Sequence, residues 1–257
     1  MKKLLAFLLF ALIAGVALYF LVFRKNEELV GEPEVLGLPE VDNGEVLGLS
    51  QGESLYKVAY YRVGEREVGV FRNFSARKSS TQLMTENDCE FLVNGAFYSK
   101  DFQPLGFFKD SDLQLRDFVK STLMDGVVSL NDFDTPRITR LVPRDPLIWG
   151  LQSGPVVFEN GSPAAISMKR DEYARRVLAG VTGSNELVFF ILYNSESTYL
   201  GPLMGELPGL VTKLNEKTDL NLADVINLDG GSASAFIKKD GFSLNEVSPV
   251  GSFFCIQ

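Results

Sequence analysis

Four stretches of this chain share one build, an apolar run of strand length that stops on glycine and small polar residues. They are VNGAFYSKDFQPLGF (93–107), LQSGPVVFENG (151–161), RRVLAGVTGSNELVFFIL (175–192) and INLDGGSASAF (226–236). Runs this short, rich in β-branched and aromatic residues and bounded by Gly, Pro, Asn and Asp, read as strands. A rigid strand end is a place from which a scaffold presents functional side chains. Glycine there allows positive φ and lets a ligand approach the backbone closely. Each stretch alone also fits a plain structural turn.

The same reading runs along the chain. Residues 55–63 and 66–74 are two strands around Gly64-Glu65, expected to form a hairpin. Strands are also expected at 90–93, 105–108, 126–130, 156–158, 177–181, 187–193, 225–228, 233–237 and 253–256. Asn160-Gly161 signals a tight hairpin turn after the 156–158 strand. One helix is clear: Leu207, Leu210, Val211 and Leu214 fall on one helical face, and the pattern ends near Thr218. Strands dominate and helices are few, so the expected class is α+β, a mixed, strand-rich sheet core with a few packed helices.

Composition removes several chemistries. The chain of 257 residues has no histidine, which excludes a Ser-His-Asp triad, a Cys-His pair and a histidine-ligated zinc or copper site. Acid–base work falls to Asp, Glu, Lys, Tyr or Cys. Net charge is −8, with no basic face of the kind nucleic acid requires, so no nucleic-acid partner is expected. Cys89 and Cys255 are too few for a four-thiolate metal site; paired or buried and unpaired, both states fit the sequence.

The N-terminus has its own character. Lys2 and Lys3 precede an uncharged run from Leu4 to Phe23, about the length that crosses a bilayer as a helix. Residues 1–25 are therefore expected to be an uncleaved signal anchor, one transmembrane helix with the C-terminal part exported, periplasmic or extracellular. Residues 26–53 hold eight acidic residues and no Lys or Arg, and are expected to be a flexible tether. Within them Glu34-Val35-Leu36-Gly37-Leu38 recurs as Glu45-Val46-Leu47-Gly48-Leu49. Residues 54–257 then form the folded domain.

Taken in order, the four stretches resemble the phosphodiester glycosidase family, over about residues 55–257. The matching motifs are Asn94-Gly95-Ala96-Phe97-Tyr98 with Pro104-Leu105-Gly106; Gln152-Ser153-Gly154-Pro155; Arg176 with Gly180; and Leu228-Asp229-Gly230-Gly231 with Ser232 and Ser234. Ala96 stands where the family often has glycine, and Arg176 lacks the threonine that usually follows it. The resemblance implies hydrolysis of sugars joined through the anomeric oxygen to a phosphodiester. Such a reaction asks for a cation at the phosphate and a carboxylate near the anomeric carbon.

On that resemblance the expected catalytic residues are Asp229, Arg176 and Asn94. Asp229 is the carboxylate, as nucleophile, base or metal ligand. Arg176 grips phosphate oxygens, with Arg175 beside it as an alternative. Asn94 and Gln152 bind sugar hydroxyls or orient a water. Gly95, Ser153 and Gly154 complete the substrate site, and the N–H groups of Gly230, Gly231 and Ser232 form an anion cradle. Asp101 is a minor candidate for a second carboxylate. No cofactor or metal is expected; a divalent cation at Asp229 has no EF-hand-like spacing behind it. The expected partners are a glycan or sugar-phosphate substrate and the membrane, through residues 4–23. The expected function is a membrane-tethered hydrolase of envelope or extracellular glycans. A non-catalytic glycan-binding or exopolysaccharide-assembly factor on the same fold is the alternative, and a metal-dependent phosphodiesterase is a weaker third.

Overall fold

The computed structural model describes residues 46–257. The expected membrane segment and most of the acidic tether lie outside these residues. In chain order the first half runs β1 (Val46–Gln51), β2 (Ser54–Arg62), β3 (Val68–Arg72), α1 (Ser80–Glu86), β4 (Phe91–Asn94), β5 (Phe108–Lys109), β6 (Gln114–Arg116), β7 (Gly126–Asn131) and β8 (Pro136–Thr139). It continues β9 (Leu147–Ser153), β10 (Val156–Glu159), β11 (Ser162–Pro163), β12 (Arg176–Thr182), β13 (Leu187–Asn194), α2 (Leu207–Lys217) and β14 (Leu222–Asn227). β15 (Phe236–Lys238), β16 (Ser243–Leu244) and β17 (Ser252–Ile256) close it.

The strands form three sheets: β1-β2-β13-β12-β14-β10-β11, β16-β15-β4-β17-β3 and β6-β5-β9-β7-β8. The strand-rich core with a few helices matches the α+β expectation. The sheets are not mixed in strand direction, because every pairing between these strands is antiparallel.

The period-2 alternation of the seven-stranded sheet explains the layering. On one face Tyr56, Val58, Tyr60, Leu178, Phe190 and Leu192 pack against Leu207, Leu210, Val211 and Leu214 of α2. On the other, Ala59, Tyr61, Val177, Ala179, Phe189 and Ile191 pack with residues of the two five-stranded sheets, among them Phe91, Val128, Trp149 and Phe254. Both faces are covered, so the central strands read as nearly continuous apolar runs.

Two expectations change. β2 and β3 exist, but they are not a hairpin. β2 pairs with β1 and β13, whereas β3 pairs with β17 in another sheet. An alternating pattern marks a strand, not its partner. The tether also ends earlier than residue 53. Val46–Gln51 is an edge strand paired with β2 from Val46↔Ala59 to Gln51↔Ser54, and Leu49 is fully buried. The hairpins β12–β13 and β10–β11 and the helix α2 stand where the sequence placed them. The short helix α1 was missed, although Ser79 and Gln82 form a capping box at its start. Cys89 and Cys255 are joined in a disulfide, Cα to Cα 5.3 Å, tying the approach to β4 onto β17.

Candidate active site

Three strand ends meet at one pole of the seven-stranded sheet. β14 ends at Asn227, and Asp229 lies two residues beyond its end. Both line a cleft of about 280 Å³ together with Arg176, Glu172, Phe97 and Gly231. Asp229 accepts a hydrogen bond at Oδ1 from the N–H of Gly230, 2.9 Å. Its Oδ2 has no partner among the described residues, and no cation pairs with it. Burial pushes its carboxyl up to about 7, with the Gly230 N–H pulling the other way. Asp229 also acts on its surroundings: burial, and then this nearby carboxylate, push the Tyr98 phenol up.

Arg176 opens β12, its side chain 11% exposed. Its Nε donates to the Pro202 carbonyl, 3.1 Å, and its Nη2 to the Glu172 carbonyl. Asp171 lies 3.5 Å from Nη2 and in turn accepts from the N–H groups of Met204 and Gly205. Two of the three guanidinium nitrogens are therefore engaged by the protein. Nη1 donates no hydrogen bond among the described residues, which leaves one edge of the group for a ligand. Burial pulls its pKa down, with Asp171 and Glu172 opposing.

Several sequence-chosen residues stand behind the cleft rather than on it. Asn94 is buried; its Nδ2 donates to the carbonyls of Asp229, 2.7 Å, and Gly95, 3.2 Å, while its Oδ1 accepts from Ala235 N–H, 3.0 Å. All its polar atoms are used, so Asn94 braces the Asp229 backbone and has none left for a sugar. Gly95 adds to the brace by accepting from Asp229 N–H, 3.1 Å, and a Cβ there would fall on Ser252 Oγ. Gln152 is likewise spent. Its Oε1 accepts from Phe107 and Val119 N–H, and its Nε2 donates to the Val119 and Met124 carbonyls.

Ser153 and Gly154 hold Asn227. Ser153 Oγ donates to the Asn227 carbonyl, 2.7 Å, as does Gly154 N–H, 2.9 Å, and the Gly154 carbonyl accepts from Asn227 Nδ2, 3.0 Å. The expected anion cradle is not open either. Gly230 N–H is turned to Asp229, and Gly231 N–H to the Arg175 carbonyl, 2.9 Å. Gly231 takes φ +64° with free space around its α-carbon, so the turn needs glycine for conformation and not for room. Ser232 is exposed and off the cleft, its carbonyl accepting from Val247 and Ser248 N–H. Arg175 is buried and points away, its Nη2 donating to the Ser234 and Asn245 carbonyls. Asp101 is an exposed loop residue that does not line the cleft.

Asn227 is the site residue that sequence reasoning overlooked. Its Nδ2 donates to two carbonyls, of Gly154 and Leu228, which fixes the amide orientation. The residue lines the cleft, and its Oδ1 is buried beneath the surface without a partner among the described residues. Its position two residues before Asp229 in a strand was the available signal. Asp171 and Glu172 had none, since a polar loop brings them in. Among the described residues no group of three or more His, Cys, Asp or Glu is arranged to hold a metal.

The described strands thus build a three-sheet antiparallel scaffold in which a desolvated carboxyl and an arginine line one cleft. The profile of the phosphodiester glycosidase family matches residues 87–256, and the chain belongs to that family. Among solved structures it is similar to the zebrafish N-acetylglucosamine-1-phosphodiester alpha-N-acetylglucosaminidase catalytic domain auto-inhibited by its pro-peptide. That match has a TM-score of 0.63 and 13% identity, over 84% of this chain and 82% of that one. A hypothetical protein from Synechocystis matches with a TM-score of 0.54 and 10% identity, over 82% of this chain and 61% of that one. A Burkholderia pseudomallei K96243 protein described as exported matches with a TM-score of 0.52 and 9% identity, over 79% and 74%. At these identities the structures share the fold. No curated protein matches the chain in sequence.

Proposed function

We propose that the cleft hydrolyses glycosyl phosphodiesters, breaking the bond between the anomeric carbon and the phosphate oxygen. The observation that carries this reading is Asp229, a carboxyl near pH 7 on a cleft shared with Arg176. The leaving group is a phosphate monoester, whose second pKa is about 6, so it departs without needing a strong acid. Asp229 is then required ionised, attacking the anomeric carbon or taking the proton of the attacking water. The electron pair of the broken bond stays on the phosphate oxygen, where the free edge of Arg176 meets the charge. Glu172, on the same cleft, is available as the second carboxylate that glycoside hydrolysis commonly uses.

The protein acts on envelope or extracellular glycans from a membrane tether formed by residues 4–23, with the domain exported. The Cys89–Cys255 disulfide supports that placement, since such bonds persist in oxidising compartments. The test is turnover of a chromogenic glycosyl-1-phosphodiester by the full-length chain. Wild type releases sugar and Asp229→Asn does not; equal turnover by both sinks the assignment. A second reading, glycan binding without chemistry, is favoured by the engagement of two Arg176 nitrogens with protein groups. It expects saccharide binding with no turnover across a substrate panel.

A further inference from the structure

The described fold uses one copy of the pentapeptide repeat. Val46–Leu49 of the second copy supply most of β1, and the way β1 is held can be compared with the first copy position by position. Leu49 is fully buried, and Leu47 packs against the same cluster. Lys217 Nζ donates to the Gly48 carbonyl, 3.0 Å, and Lys213 Nζ to the Ser50 carbonyl and to Gln51 Oε1, the latter 2.7 Å. The lysines of α2 thus cover the outer edge of β1.

An offset of 11 residues (45 minus 34) places Leu36, Gly37 and Leu38 at the positions of Leu47, Gly48 and Leu49. The same offset puts Pro39 at Ser50 and Glu40 at Gln51. Both replacements suit the slot. The Ser50 carbonyl points outward to Lys213, so its N–H points outward too, away from β2. Proline there removes no ladder hydrogen bond, the edge-strand condition under which it is tolerated. Glu40 in place of Gln51 gives Lys213 a carboxylate where it now meets an amide oxygen.

We propose that the edge beside β2 is a strand-binding slot with two cognate segments in this one chain, and that Val35–Glu40 can replace Val46–Gln51 in it. The two-residue turn 52–53 between β1 and β2 then becomes a 13-residue connection, 41–53. Loop-closure entropy alone disfavours the longer connection on the order of 10-fold, so the second copy is the resident strand. The exchange withdraws 11 residues from the segment preceding the domain, roughly 35 Å of extended chain. The slot therefore sets two lengths for whatever the N-terminus holds.

The test uses the full-length chain in three forms: Leu47→Asp with Leu49→Asp, Leu36→Asp with Leu38→Asp, and all four substitutions together. Amide exchange of β2 reports whether the slot is filled. Each double variant keeps β2 protected, and the quadruple variant loses protection by at least 10-fold. If the Leu47/Leu49 variant exchanges as fast as the quadruple one, the first copy does not fill the slot and the proposal falls. A second arm adds Gly37→Cys and Lys57→Cys to the Leu47/Leu49 variant, positions made opposite by the shifted register. The Gly48 position opposite Lys57 has room for a side chain, its nearest neighbour being Leu55 at 3.8 Å. A disulfide within the monomer supports the exchange. Its absence, or a disulfide-linked dimer, overturns replacement within one chain.

Discussion

Asp229 carries both the proposed chemistry and a cost in stability. Its carboxyl titrates near 7 in the fold, against an ordinary value of 3.8. If it acts ionised, kcat/KM rises with pH and levels off above about 7; a profile that falls through the same range assigns it to proton donation instead. The stability sign follows from the same shift. Between pH 4 and 7 the folded state binds a proton that the unfolded chain has released, so this group's contribution is present at low pH and is lost as pH rises through 7. Asp229→Asn therefore raises stability at pH 8 by about 1–3 kcal/mol and leaves it nearly unchanged at pH 4. Urea unfolding at the two pH values checks this. Asn227→Ala leaves the Gly154 and Leu228 carbonyls without their donor and costs about 1–3 kcal/mol in the same urea titrations.

At the scale of elements, the motif residues act as fasteners. Gln152 on β9 bonds four backbone groups of the 107–124 segment, so Gln152→Leu leaves them unpaired and costs about 2–4 kcal/mol. A Gln152 that served only the substrate would show a raised KM at unchanged stability. Ser79→Ala at the start of α1 removes one half of the capping box and costs about 1 kcal/mol. The legible elements were those whose signal is local. α2 showed its helical face, and Asn160-Gly161 its hairpin, with φ +52° and +73°. The partners of β2 and β3 were not legible, because β3 pairs with a strand about 180 residues further on, at Ser252–Ile256.

At the scale of the molecule, one bond spans most of the described chain. Cys89 and Cys255 are 166 residues apart, and closing a loop of that size restricts the unfolded state strongly. Replacing both by alanine lowers stability by about 2–5 kcal/mol in denaturant titrations, and a reductant does the same to wild type while leaving the double variant unaffected. Neither cysteine lines the cleft, so the altered proteins that remain folded retain wild-type KM.

What the sequence by itself determined is a majority of the longer strands and their polar ends, the one helix with a clear apolar face, the absence of histidine chemistry and the family resemblance; it did not show β1, β8 or β9. The features it showed follow from period, turn residues and composition, all local or additive. Tertiary structure decided which of those ends face outward. Asn94, Gln152 and Ser153 share the strand-end character of Asp229, yet the polar atoms of Asn94 and Ser153 are consumed in holding Asp229 and Asn227, and those of Gln152 in holding the 107–124 segment. A side chain's hydrogen-bond partners come from segments remote in the chain, and only packing brings them within reach. The same packing stripped water from Asp229 and raised its pKa, turning an aspartate before a glycine turn into a carboxyl suited to neutral pH.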